Sequence, residues 1–292
     1  YSNTGYALLA SIIEKVSGKS FKDFMQESVF KPLGMTQSRI YNTRRSSNEV
    51  IPNYAYGYVY ADSLKRYILP DSLPQLNFVY YLDGIQGDGI VNSTTGDLLK
   101  WDRAIKNHSL LSEISQKEML TAQAYTDTSA KVGYGYGIFQ NKDKFGTNLY
   151  HSGGWPGYAT FLSRNLEDDW TIVVLSNNNS NATGLSNQLS YILHNELVVF
   201  PYVHKEVTID STIVDNYIGK YKGSYLIEII KERGKLYRKG KPNVELKPES
   251  IRKFFFADGS DRQIEFALDG SGKVVSVWLI TNGIRTEHQK IE

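Results

Sequence analysis

Apolar residues recur at helical spacing in the first segment of the chain. Leu8, Leu9, Ile12, Ile13 and Val16 make one stripe between Ala7 and Val16, and Gly18 supplies a C-terminal stop. Ser20 and Asp23 frame a capping box, which predicts a second short helix ended by Pro32 and Gly34. The stretch from Tyr41 to Tyr81 is irregular, but Tyr54, Tyr56, Tyr58 and Tyr60 alternate, the period of a strand with one aromatic face. Thr95 to Ile105 reads as a third helix, with Ser93 to Thr95 as cap candidates. Tyr134–Gln140, Tyr158–Arg164 and Thr171–Ser176 follow in quick succession with turn residues between them, which predicts an antiparallel set. Thr183–Leu197 is again amphipathic and helical.

The rhythm changes after Phe200 and Pro201. From Val207 onward only short alternating runs remain, broken by Arg233-Gly234, Asp258-Gly259, Asp269-Gly270 and Asn282-Gly283. That is the pattern of a small all-β unit. The expected architecture is therefore two domains, 1–203 and 204–292, with no internal repeat.

Composition narrows the function classes. Hydrophobic residues make up 41% and charged residues 22% of the 292, which indicates a globular chain. A formal net charge of +2 gives no electrostatic case for nucleic acid or a polybasic membrane contact. Cysteine is absent, which removes disulfides, thiol nucleophiles and cysteine metal sites together. No apolar run reaches the length of a membrane span. Aromatic content is the one oddity, with 21 tyrosines.

Four stretches carry candidate chemistry. Tyr1-Ser2-Asn3 opens a helix; Gly87 to Thr94 leads into the helix of Trp101; Tyr134-Gly135-Tyr136-Gly137 lies on a predicted strand; His151-Ser152-Gly153-Gly154-Trp155-Pro156-Gly157 sits between two predicted strands. Glycines in the last stretch would let a backbone come close to a ligand. Asp88 and Asp97 read as loop and helix-cap residues, and His108, His194, His204 and His288 show no metal-ligand spacing. No metal or other cofactor is implied.

Taken in order, these stretches resemble the serine β-lactamase and penicillin-binding-protein family, in its class C β-lactamase, D,D-peptidase and esterase branch. "GYALLASIIEKVSGKSF", "PLGMTQS", "GDGIVNSTTGDLLKWDRAI", "YGYGIF" and "WTIVVLSNN" add to the likeness, which covers roughly residues 1–200. That family has three elements: Ser-x-x-Lys with the nucleophile, Tyr-x-Asn, and Lys-Thr-Gly or a His-x-Gly variant on an edge strand. Tyr1 and Asn3 match the second, and His151, Ser152 and Gly153 the third. The resemblance implies an α+β fold, an antiparallel sheet with helices on both sides. It implies acyl-enzyme chemistry on a peptide, ester or β-lactam substrate, in a periplasmic or secreted parent.

The roles it implies are specific. Tyr1 is the base candidate for a serine hydroxyl, and a free phenol with a pKa of about 10 needs nearby positive charge to ionise at neutral pH. Asn3 donates its amide to substrate or lysine, Gly153 permits close approach, and the Gly154 N–H is one oxyanion donor with the N–H of the upstream serine as the other, Ser152 belonging to the same substrate-binding stretch. His151 stands where the family more often has lysine, which favours a peptide or ester over a β-lactam carboxylate. The resemblance also implies that the Ser-x-x-Lys helix lies upstream of Tyr1, so that this chain alone is inactive. Ser28 to Lys31 and Ser250 to Lys253 match that motif locally but are rejected: the first follows Tyr-x-Asn and runs into Pro32, and the second lies in the β-rich tail.

Plainer roles stand beside these. Asn3 can be a helix N-cap, His151 a strand-end residue, the glycines a bulge and turn, Trp155 core or cleft wall, and the tyrosine ladder a packing face. The tail from 204 resembles a lipocalin-like β domain, read as a structural cap or contact surface. The rival functions are a binding protein that keeps the cleft without catalysis, and an apolar-ligand binder acting through the tail.

Overall fold

The computed structural model describes residues 1–42, 49–127 and 132–292. Two compact units divide the chain, Tyr1–Ser186 and Asn187–Glu292. The division falls inside a helix, before the boundary expected near 203. The latter part of that helix and the segment after it bond to the barrel strands of the second unit: Gln188 Nε2 donates to the Asn282 carbonyl at 2.8 Å, and Val199 N–H to the Gly283 carbonyl at 2.8 Å.

In the first unit, α1 (Asn3–Ser17) starts at Ser2, whose side chain accepts from Gly5 N–H, and stops at Gly18 with a φ of 70°. The cap is thus Ser2 and not Asn3. Contrary to the expectation from the apolar stripe, Leu8, Leu9, Ile12 and Val16 are exposed, and the buried residue is Ala10. The reason is that α1 turns its small residues inward. Ala10 joins Phe21, Phe30, Met35 and Ile40 in one core cluster, with Ile13 packed beside it. α2 (Phe21–Met25) is capped by Ser20 as expected and continues into a π-helical turn, Gln26–Phe30.

Short pairs and helices follow. β1 (Arg39–Ile40) pairs with β4 (Val91–Asn92), and β2 (Val59–Ala61) with β3 (Arg66–Ile68). Only the end of the tyrosine alternation is a strand. Tyr54 and Tyr56 lie outside it, with rings 5.0 Å apart, and Tyr54 also meets Tyr41 at 5.6 Å. Ring packing overrides the two-residue period there. α3 (Phe78–Leu82) is brief; α4 (Thr95–Lys106) is capped by Thr94, and α5 (Glu113–Leu120) by Ser112. Residues 43–48 lie outside the described residues.

The six-stranded antiparallel sheet has the order β10-β9-β8-β7-β6-β5. Its strands are β5 (Ala124–Asp127), β6 (Val132–Tyr134), β7 (Phe139–Asp143), β8 (Gly146–Trp155), β9 (Tyr158–Asn165) and β10 (Thr171–Ser176). The expected strand Tyr134–Gln140 is split between β6 and β7 by a turn containing Gly137, whose φ is 83°. The stretch His151 to Trp155, expected between strands, is itself the end of β8. α6 (Ala182–Leu193) closes this part of the chain. Under the sheet, Asp102 of α4 accepts from Arg164 Nη1 at 2.8 Å and from Thr171 Oγ1 at 2.7 Å, and both charged side chains are nearly fully buried.

The second unit is a closed antiparallel barrel of β11 (Gly219–Lys222), β12 (Leu226–Glu232), β13 (Lys235–Arg238), β14 (Val244–Pro248), β15 (Lys253–Phe256), β16 (Gln263–Leu268), β17 (Val274–Thr281) and β18 (Ile284–Lys290). Its core holds Tyr217, Tyr221, Phe254 and Phe266, all but fully buried, with the Tyr217 and Phe266 rings stacked at 4.2 Å. The phenols are satisfied: Tyr221 donates to the Tyr217 carbonyl at 2.8 Å and Tyr217 to the Ile251 carbonyl at 2.7 Å. The interior is a packed core of the kind small barrels fill with side chains. Among the described residues no helix is long and apolar enough to cross a membrane, and no cluster of three or more His, Asp or Glu is placed to hold a metal.

Candidate active site

Tyr1 and His151 are 150 positions apart and meet in the fold. Their ring centroids are 5.7 Å apart at 60°. Tyr1 also stacks on Tyr6 at 5.5 Å and meets Tyr134 edge-on at 5.9 Å. Tyr6 comes from α1 and Tyr134 from the end of β6, so a helix and two strands build this aromatic corner.

A hydrogen-bond chain runs through it. The Tyr6 and Tyr134 hydroxyls are 3.1 Å apart, Tyr134 Oη lies 3.3 Å from His151 Nε2, and His151 Nδ1 lies 2.7 Å from the Ser152 carbonyl oxygen. A carbonyl only accepts, so Nδ1 carries the proton. In the neutral ring Nε2 must then accept, and it takes the Tyr134 hydroxyl proton, leaving the Tyr134 oxygen to accept from Tyr6. The ring is held from both sides, with its tautomer fixed by its neighbours. Tyr6 and Tyr134 were given no role from sequence alone. The Tyr-Gly-Tyr-Gly stretch was the available signal for Tyr134; for Tyr6, only its nearness to Tyr1 in sequence.

The electrostatics oppose ionisation of the phenols. Burial against the neighbouring rings raises the Tyr1 pKa, and the Asp88 carboxylate raises it further. Burial pushes Tyr134 well above the ordinary phenol range, and its interaction with the Tyr6 hydroxyl adds to the rise. The Tyr6 phenol acts on Tyr1 in the same direction. Tyr1 in this setting holds its proton.

His151 to Trp155 pair with Leu162 to Tyr158 of β9 on one side. On the other side β7 reaches only from Phe139 to Asp143, opposite Tyr150 to Gly146. Among the described residues the far edge of His151–Trp155 therefore has no strand partner, and Ser152, Gly153 and Gly154 are exposed. The two glycines differ. A Cβ on Gly153 would lie 2.3 Å from Thr160 Oγ1, so packing explains that one. A Cβ on Gly154 would meet nothing within 4 Å, so packing does not require glycine there. Asn3 is exposed in the first turn of α1. Of the residues singled out from sequence, Tyr1, His151 and Ser152 thus come together, and Gly153 and Gly154 extend the same strand. Ser28 is exposed on the π-helical turn, and Ser250 Oγ accepts from the Arg252 and Lys253 N–H groups; neither bonds to Tyr1 or His151.

Comparison with known proteins places the chain in a family. Residues 1–194 match the family model described as Beta-lactamase. Penicillin-binding protein 4* of Bacillus subtilis (strain 168) is 39% identical over 298 residues, covering 98% of this chain and 65% of that protein. A putative D-alanyl-D-alanine carboxypeptidase of Escherichia coli (strain K12) is 25% identical over 195 residues, covering 61% of this chain and 44% of that one. The chain thus spans less than two thirds of the length of these relatives. The octameric penicillin-binding protein homologue from Pyrococcus abyssi shares the fold, with a TM-score of 0.59 at 24% identity over 98% of this chain and 64% of that chain.

Proposed function

This chain belongs to the beta-lactamase family, and from that premise we propose that residues 1–203 serve acyl transfer by a serine hydrolase acting on a peptide or ester. Tyr1 is the proton-transfer group, His151 its partner, and the open edge of β8 receives the substrate backbone. Gly154 N–H is the oxyanion donor, and Asn3 orients substrate from the start of α1. The observation that supports this best is the contact between the Tyr1 and His151 rings at the unpaired end of β8.

A raised phenol is an acid; it becomes a base only when a cation joins it. Neither Ser28 nor Ser250 bonds to the corner, so neither is the nucleophile. The 292-residue chain by itself is therefore expected to bind substrate and not to turn it over. The barrel, its core filled by aromatic side chains, is assigned a structural or contact role in a lipocalin-like arrangement. A parent acting on peptides outside the cytoplasm fits the D-alanyl peptide chemistry named for one relative.

The test is acylation of the full-length protein by a fluorescent penicillin or an activated D-alanyl ester. Tyr1→Phe and His151→Ala should each slow acylation while leaving the thermal midpoint in place. Unchanged acylation in both variants would remove Tyr1 and His151 from the chemistry. The raised phenol favours a second reading, a cleft that binds without reacting; tight binding of the peptide with no acylation of the full-length protein would select it.

A further inference from the structure

Residues two apart on a strand point to one face, so His151, Gly153 and Trp155 share a face of β8. Gly153 places no side chain between the other two. The result is a saddle with an imidazole at one end and an indole at the other, about 13 Å apart by strand rise. The backbone along it, Ser152 to Gly154, is exposed.

The indole end has its own construction. Trp155 is half-buried, and Phe78 meets it edge-on with centroids 6.0 Å apart at 87°. Phe78 opens α3; the next residue, Val79, is fully buried and anchors the helix, while Phe78 stays 40% exposed. The turn carrying Trp155 is fixed as well. Gly157 lies so close to the loop beneath that a Cβ there would stand 2.5 Å from the Gly57 carbonyl carbon. Its N–H donates to Asn179 Oδ1 at 3.3 Å, and the Tyr158 hydroxyl donates to the Ala55 carbonyl at 2.8 Å. Two rings are thus held partly in solvent in a set geometry, at the end of an unpaired strand edge. A ring that is already ordered loses little freedom when a ligand arrives. An edge-on pair also leaves ring faces for a third aromatic group, which offset or edge-on contacts would hold.

We propose that Trp155 and Phe78 form a remote subsite for an aromatic side chain of an extended peptide laid along the open edge of β8. The peptide adds a strand, so main-chain bonding to His151–Trp155 gives register, and the side chain that reaches Trp155 gives preference. By strand rise that side chain lies about four residues along from the group beside His151. The preferred substrate is therefore an oligopeptide with a bulky aromatic residue distant from the bond that reacts. The proposal rests on the reading that substrate lies along β8 and adds what the far end of that strand selects.

Two matched peptides test it, identical around the reacting bond and carrying Phe or Ala at the distant position. In the full-length protein, kcat/KM should favour the Phe peptide by about 5–50-fold, carried mainly by KM. Trp155→Ala and, separately, Phe78→Ala should bring that ratio to within about twofold. Phe78 is exposed enough for its variant to fold even if the Trp155 variant does not. A wild-type ratio retained in Phe78→Ala and in a folded Trp155→Ala would overturn the subsite. If the full-length protein processes neither peptide, the catalytic reading fails and equilibrium binding of uncleavable versions to the 292-residue chain decides. Tighter binding of the Phe peptide, lost in the variants, upholds the subsite; equal binding of the two peptides overturns it.

Discussion

Replacing Tyr134 by Phe deletes one oxygen at the middle of the chain from Tyr6 to the Ser152 carbonyl. Two hydrogen bonds go with it, at 3.1 Å to the Tyr6 hydroxyl and 3.3 Å to His151 Nε2. The ring contacts remain, since Phe139 at 4.4 Å and Tyr1 at 5.9 Å need only the aromatic face. Each neutral hydrogen bond contributes about 0.5–1.5 kcal/mol, and these two are long, so about 1–2 kcal/mol is lost in total. If the loss falls on the placement of His151, kcat/KM of the full-length protein drops by about 5–30-fold. The imidazole stays tethered through Nδ1 to Ser152, which keeps the loss from being larger. Tyr6→Phe removes only the outer link and should cost less than Tyr134→Phe. Initial rates on an activated ester, with urea unfolding of the same variants, separate rate from stability. Nitrogen-15 NMR of the chain should show neutral His151 protonated at Nδ1. An Nε2–H tautomer, a Tyr6→Phe loss exceeding that of Tyr134→Phe, or a drop of about 10⁴ placing Tyr134 itself in the chemistry would each refute the reasoning.

Four further outcomes are expected. Asp102→Ala leaves the buried Arg164 with only the half-exposed Asp169 as its ion partner and should cost less in urea unfolding than the about 3–5 kcal/mol of a fully unpaired buried charge. Gly154→Val meets no neighbour, so the unfolding midpoint should hold while binding of a strand-like peptide falls at least tenfold, or about 1.4 kcal/mol. Asp88→Asn removes a negative charge that raises the Tyr1 phenol, so in ultraviolet titration Tyr1 should ionise at lower pH than in the unaltered chain. Burial raises the Tyr54, Tyr134, Tyr202 and Tyr221 phenols above their unfolded values. The folded state then keeps protons that the unfolded chain releases; stability is intact below about pH 10 and declines as pH rises through the folded values, which urea midpoints in alkaline buffer would register.

Helix starts were legible because Ser20 and the Thr94 region announce themselves through side chains that cap their own backbone. The barrel was legible because its turns carry glycine at regular intervals. What failed was anything decided by a distant partner. The stripe on α1 predicts a buried Leu8 and Leu9, yet small Ala10 faces inward because Gly87 of a later loop lies on that helix: a Cβ on Gly87 would be 2.8 Å from the Ala10 Cβ. β8 ends in Ser-Gly-Gly, poor strand formers, and owes its extension to pairing with β9. At the corner, Tyr1 and His151 were singled out because whole motifs match a family in order. Tyr134 lay in a noted stretch but its bond to a histidine 17 positions away was not legible, and Tyr6, bonded to a tyrosine 128 positions away, leaves no local pattern.

The barrel closes where β11 meets β18, through Tyr221 opposite Lys290 and Lys222 opposite Gln289. Ile291 N–H reaches the Lys220 carbonyl at 2.8 Å, and Lys220 N–H the Glu292 carbonyl at 3.1 Å. Every other pairing in this barrel joins strands adjacent in sequence. During synthesis the meander from β11 onward can zip hairpin by hairpin as it leaves the ribosome, but the ring cannot shut until β18 has emerged. Until then it is an open sheet with two bare edges, each able to pair with another nascent chain. The pairing of greatest sequence separation is then the last that can form, the kind that closes slowly because loop entropy is lost before the contacts are gained.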